Sequence, residues 1–206
     1  MTQTTHQTSG GVSRRYAKGE ARRQEIIRIA MEVFAAVGYN KSSMLEISQK
    51  SGLTRAGLAH YFPTKESLLT AVLKWRDSED HKNFISTRDG SDPQGFFQGL
   101  LRLTAHNATI PGLIALYAIL SAEASAPEHP AHDYFVHRYE HTVAMMETNL
   151  RAAADQGKLL KSLDPHAFAV RIVAVMDGLQ IQWLLNPGHF DMVEHLRALL
   201  SEALTF

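Results

Sequence analysis

Cysteine is absent from the 206 residues, which excludes a disulfide framework, a thiolate zinc site and a cysteine nucleophile. The first dozen residues, MTQTTHQTSGGV, are polar and lack the apolar run of a signal peptide. No later segment reads as long enough to cross a bilayer, so the expectation is a cytoplasmic protein without membrane contact. Strand-like alternation and internal repeats are also missing, which leaves an all-α chain of about nine helices. Catalytic signatures fail in the same way. There is no G-x-S-x-G elbow, dinucleotide glycine fingerprint, P-loop or H-E-x-x-H, so neither an enzyme nor a cofactor is expected. A helical enzyme whose acid-base site is assembled from scattered residues is the competing class.

Net charge is absent too, with 21 Lys+Arg against 21 Asp+Glu, but the balance hides a division along the chain. Residues 1–76 hold 12 basic side chains against 5 acidic ones, and residues 77–206 hold 9 against 16. The basic first third suits a polyanion, and the acidic remainder should face away from it.

Helical periodicity begins after Lys18, with Ile26, Ala30, Val33, Phe34 and Val37 on one face and Gly38 as a C-cap. Two short segments follow, and then Thr64 opens a helix expected to reach about Phe84. STRDGSDP over residues 86–93 reads as a loop. Beyond it, helices are expected over 96–107, 111–123 and 132–156, from Asp164–Pro165 onward, and over 190–204. The domain reading is a polar, basic, disordered tail over 1–17, a small basic helical domain over 18–64, a connector helix over 65–84, and a larger acidic helical domain over 85–206.

The most informative stretch is SMLEISQKSGLTRAGLAHYFPTK, residues 43–65, two short helices joined by a glycine turn. Ser43 can cap the first helix, Gly52 supplies the turn, Leu53 plugs the space between the helices, and Thr54 caps the second. Such a second helix enters the DNA major groove with its first-turn and outward side chains on base edges. Arg55 is placed to donate to guanine O6 and N7 or to a phosphate, and Thr54 to bind phosphate. Ala56 and Gly57 are small enough for close approach. His60 and Tyr61 can reach the sugar-phosphate edge, with packing as the alternative for Tyr61. Lys65, Ser42 and Ser43 are further phosphate candidates.

Over about residues 20–75, GYNKSSMLEISQKSGLTRAGLAHYFPTKESLL and its flanks resemble the TetR (tetracycline-repressor-like) transcriptional regulators. The shared pattern is a glycine-aromatic end to the first helix, a Ser/Thr cap, a small-Gly-aliphatic turn, and an aromatic cluster followed by lysine. Ala59 departs from it where many members carry a DNA-touching tyrosine, and Ser48 and Ser51 replace common alanines. The resemblance implies a homodimer on a palindromic double-stranded DNA operator, acting as a repressor. It also implies a C-terminal domain that loosens this grip when a small-molecule effector binds.

Val173, Met176, Leu179, Gln180, Trp183, Leu184, Leu196, Leu199, Leu200 and Leu204 are the candidates for a four-helix seam between two copies, or else for intrachain core. Phe96, Leu103, His106, Leu113, Tyr117, Leu120, Met145, Met146, Met176 and Gln180 are candidates for an effector cavity, again with plain core as the alternative. No metal is expected. Asp133, His137 and His141, at i, i+4, i+8 spacing, offer the alternative of a Zn²⁺- or Ni²⁺-sensing regulator on the same scaffold, against solvated histidines on an exposed helix.

Overall fold

The computed structural model describes the backbone over residues 9–85 and 92–205, and side chains from residue 16 onward within those ranges. The described residues form nine α-helices and a π-helical turn, and their only strand-like pairing is an isolated bridge between Leu159 and Leu204. The helices are α1 (Ser9–Val37), α2 (Met44–Lys50), α3 (Arg55–Tyr61), α4 (Lys65–Asp80), α5 (Pro93–Ala108), α6 (Pro111–Glu123), α7 (His132–Asp155), α8 (Pro165–Leu185) and α9 (Met192–Ser201); the π-turn, His81–Ile85, prolongs α4.

Most starts have a local cause. Side-chain oxygens of Ser43, Thr54, Asp92, Asp164 and Asp191 each accept from a backbone N–H in the first turn they precede, and Thr64 and Ser67 close a reciprocal capping box at α4. Prolines 93, 111 and 165 occupy first-turn positions, where the missing N–H leaves no bond unmade. α1 begins at Ser9, so residues 9–17 of the expected tail are helical. Residues 1–8 and 86–91, the rest of that tail and most of the expected loop, lie outside the described residues.

Two apolar cores result. The first joins α1 to α4 through Ile26, Phe34, Ile47, Leu58, Phe62 and Leu69, and it continues into Leu113, Leu116 and Leu120 of α6 and Phe135 of α7. The second gathers Phe96, Phe97, Leu150, Phe168, Ile172 and Leu196 from α5, α7, α8 and α9. Because α6 belongs to the first core while α5 belongs to the second, the N-terminal helices are packed directly onto the larger domain.

α8 corrects one expectation. It is long and apolar enough to span a bilayer by length and composition, with mean hydropathy 1.4 over its most apolar window, and only 22% of that window is buried within the chain. One side packs on α6, α7 and α9. The other leaves Val170, Ile181 and Leu185 exposed at 46%, 49% and 82%.

Candidate nucleic-acid interface and effector cavity

The turn between α2 and α3 follows from three residues. Gly52 adopts φ +65°, which a side-chain-bearing residue rarely takes. Ser51, buried, donates its hydroxyl to the Ile47 carbonyl at 2.8 Å and so closes α2 on itself. Arg22 of α1 donates to the Ser51 carbonyl at 2.5 Å and ties the turn to the first helix. Buried Leu58 and Phe62 then fix the inward face of α3, so Arg55, Ala56, Ala59 and His60 are exposed on the opposite side.

Thr54 accepts from the Gly57 N–H at 3.0 Å, and a Cβ on Gly57 would stand 3.3 Å from that same hydroxyl. Glycine therefore keeps the cap uncrowded in addition to allowing close approach. Ser43 accepts from the Glu46 N–H at 3.1 Å and remains exposed. Ser42 is a correction. It is buried and donates to the Tyr39 carbonyl at 2.7 Å, so its hydroxyl shapes the loop and is not presented outward. Lys65 sits at the head of α4 with its ammonium 4.3 Å from the Tyr39 ring centroid. Burial and the Glu66 carboxylate push the Tyr39 phenol up to about 12, so it stays protonated beside that lysine. Tyr61 is half-buried against the first core, edge-on to His60 at 5.6 Å, and combines packing with a place on the rim of the interface.

At the far end of α4 a polar cluster crosses the boundary between helices. Arg76 pairs with Asp80 and donates to Asn107 Oδ1 at 2.8 Å; Asp77 accepts from Arg138 Nε at 3.2 Å and from the Tyr134 hydroxyl at 2.5 Å. Burial opposes the Arg138 charge, but Asp77 together with the Tyr117 and Tyr134 hydroxyls outweighs it and holds the guanidinium firmly protonated. Burial raises the Asp177 carboxyl above its ordinary value, partly offset by the Tyr139 hydroxyl that donates to it at 2.7 Å.

Two cavities flank this cluster. An inner one of about 90 Å³ lies among α4, α6, α7 and α8, with Leu113, Tyr117, Met176 and Gln180 in its wall. A larger open groove of about 840 Å³ lies among α4, α5, α7 and α8, with Leu103, Met145, Met146 and Met176 on its apolar side and Asp77, Tyr134 and Arg138 on its polar side. Asp80, Arg138, Thr142 and Met176 line both. Of the expected cavity residues, Phe96 and Leu120 are instead buried core, and His106 stacks on Phe84 at 5.0 Å. The charged lining was missed, because on amphipathic α4 and α7 such residues read as solvent-facing. The i, i+4 pair of Arg76 and Asp80 beside an apolar run was the available signal.

The expected seam also needs correction. Val173, Leu196, Leu200 and Leu204 are buried within their own chain, and Met176 and Gln180 face the cavities. Leu179, Trp183, Leu184 and Leu199 are only partly exposed. Asp133, His137 and His141 border the groove but do not converge: among the described residues no three His, Asp or Glu side chains form a metal-holding group. His137 faces Glu140 at 3.3 Å.

A capped, glycine-turned helix pair with an exposed second helix, seated on a helical domain that carries an open groove, defines a helix-turn-helix DNA-binding regulator. Residues 26–72 match the model for bacterial regulatory proteins of the tetR family, and residues 107–205 match that for the C-terminal domain of BetI-type transcriptional repressors. The chain belongs to the TetR family of transcriptional regulators, which are DNA-binding proteins and not enzymes. It is similar to the HTH-type transcriptional regulator PksA of Bacillus subtilis, with 28% identity over 82% of this chain and 81% of the relative. It is also similar to the HTH-type transcriptional regulator TtgR of Pseudomonas putida, with 25% identity over 88% and 89%. Among solved structures, the SmeT–triclosan complex shares its fold at a TM-score of 0.76 and 19% identity, over 90% of this chain and 92% of that one.

Proposed function

We propose that the protein is a cytoplasmic repressor that binds a palindromic operator as a homodimer and releases it when a small, mainly apolar molecule enters the groove. The observation that carries the reading is the outward face of α3. Arg55, Ala56, Ala59 and His60 are exposed on a helix whose inward side is locked by Leu58 and Phe62. The methionine-lined side of the groove suits an adaptable apolar body, and the Asp77, Tyr134 and Arg138 side suits one polar group upon it.

The test is binding of the full chain to duplexes from its own promoter region over a salt series, with and without a panel of apolar aromatic compounds. Arg55→Ala should lower operator preference by roughly 5- to 150-fold, corresponding to about 1–3 kcal/mol, while leaving the melting temperature in place. Undiminished preference would remove Arg55 from base reading, and binding that ignores every compound would count against the effector reading.

The dimer follows from the free face of α8. Ala167, Val170, Ala174, Gly178, Ile181 and Leu185 recur at intervals of three and four residues, with small members that permit close approach of a second helix. An identical face on a second copy covers this stripe and fixes the separation of two α3 helices. Ala174→Asp, which places a charge near the middle of the stripe, should convert dimer to monomer in sedimentation velocity and abolish cooperative operator binding. A variant that remains dimeric would move the seam elsewhere.

A further inference from the structure

We propose that the N-terminal overhang of α1 is a second DNA-contacting element, with Lys18 set against the phosphate backbone beside the C-terminal end of α3. This rests on the DNA-binding reading above and adds to it a surface outside the family match, which begins only at residue 26.

α1 has 29 residues, roughly 44 Å of helix at about 1.5 Å per residue. Near its C-terminal end Ala35 lies against Gly112 of α6, which places that end on the larger domain. Its buried face begins at Ile26, and Arg22 is tied to the turn at Ser51. The residues from Ser9 to Arg22 therefore run roughly 20 Å beyond that tie, away from the larger domain.

From Tyr16 onward this overhang has little to hold it as a helix. None of residues 16–25 is buried, Tyr16 is 78% exposed, and Gly10, Gly11 and Gly19 are poor helix formers. A helix without a packed face is marginal in water, so a surface that covers this one stabilises it. Its composition selects that surface: RRYAKGEARR, residues 14–23, has five basic side chains and one acidic one. Arg22 and Arg23 orient the overhang, the first through Ser51 and Glu25, the second 5.0 Å over the Phe62 ring. Lys18 is exposed.

The location follows from an open groove of about 640 Å³ between α1 and the end of α3, lined by Lys18, Gly19, Ala21, Arg22, Glu25 and Tyr61. Tyr61 is the last residue of α3, so a strand leaving the groove read by that helix passes beside the overhang. The acidic lining residue, Glu25, is already paired with Arg22 at 2.5 Å.

The experiment measures binding of the full chain to a duplex enriched on it from a random library, and to an unrelated duplex, as a function of salt. Lys18→Glu should weaken both complexes by similar factors and reduce the log–log salt slope by about 0.9 for the lost phosphate contact. Gly19→Ala adds a methyl group where no atom lies within 4 Å, and it should tighten both complexes roughly threefold to fivefold by favouring the helix before binding. Wild-type affinity and slope in Lys18→Glu, with Gly19→Ala unchanged or weaker, would overturn the proposal and leave the DNA-binding reading intact. A wild-type chain that binds neither duplex would overturn both.

Discussion

Gly112→Val should cost about 3 kcal/mol of stability and lower the melting temperature by roughly 6–12 °C. At Gly112 a Cβ would stand 2.2 Å from the Ala35 carbonyl oxygen and 3.0 Å from its carbon, both backbone atoms that no rotamer change can move. α1 and α6 must therefore separate by about 1 Å, against interiors whose packing leaves little slack. Val also has a lower helix propensity than Ala, which adds to the loss. The effect reaches function because this crossing is where the helix-turn-helix layer meets the larger domain: Leu113, Leu116 and Leu120 of α6 share the core of α1 to α4. A change in that crossing re-aims α3, so DNA affinity should fall in the protein that remains folded. Calorimetry together with binding under native conditions checks both parts, and an unchanged melting temperature would show that the helices do not depend on the missing side chain.

The DNA-binding half was legible because its determinants are local. Ser43, Gly52, Thr54 and Pro63 act within a few residues of where they stand, and the cap at Asp164 and the first-turn proline at Pro111 likewise mark their own helices. The cavity was legible only on its apolar side. Met145, Met146 and Met176 stand out as adaptable residues on helical stripes, whereas Asp77 lies 61 residues from Arg138 and meets it only once α4 and α7 come together. Ser42 misled for the opposite reason: a hydroxyl near a helix start suits phosphate binding until tertiary burial commits it to the Tyr39 carbonyl. The seam misled through the breadth of α8 and α9. Their apolar residues are enough for both a core and an interface, and only the packing tells Val173, buried, from Val170, exposed. The N-terminal boundary was placed late because the polar residues before Lys18, Gly10 and Gly11 among them, read as tail.

Asp80→Ala should have an effect at least as large, a loss of about 3–5 kcal/mol, and it should also uncouple the effector from DNA. Arg76 and Asp80 lie one helical turn apart on α4, with side chains only 8% and 17% exposed. Removing the carboxylate leaves the buried guanidinium with Asn107 as its hydrogen-bond partner and with the Asp77 and Glu79 carboxylates alone to offset its charge in a poorly solvated place. A companion variant, Arg76→Met with Asp80→Ala, removes the charge along with its partner and should recover much of the stability. The pair of variants separates two roles that a single substitution would merge. α4 runs from Lys65 at the DNA side to Asp80 at the cavities, roughly 22 Å, so an effector that displaces its last turn acts on a rigid lever. On the proposed effector reading, a bound ligand would shift this equilibrium only by contacts that differ between the DNA-competent and released states, and Asp80, which lines both cavities, is the residue expected to provide them. The double variant should therefore bind operator close to normally yet respond weakly to any compound that releases the wild type. If the double variant is stable and still fully released, the charged wall is structural alone, and coupling runs through the apolar α1–α6 crossing.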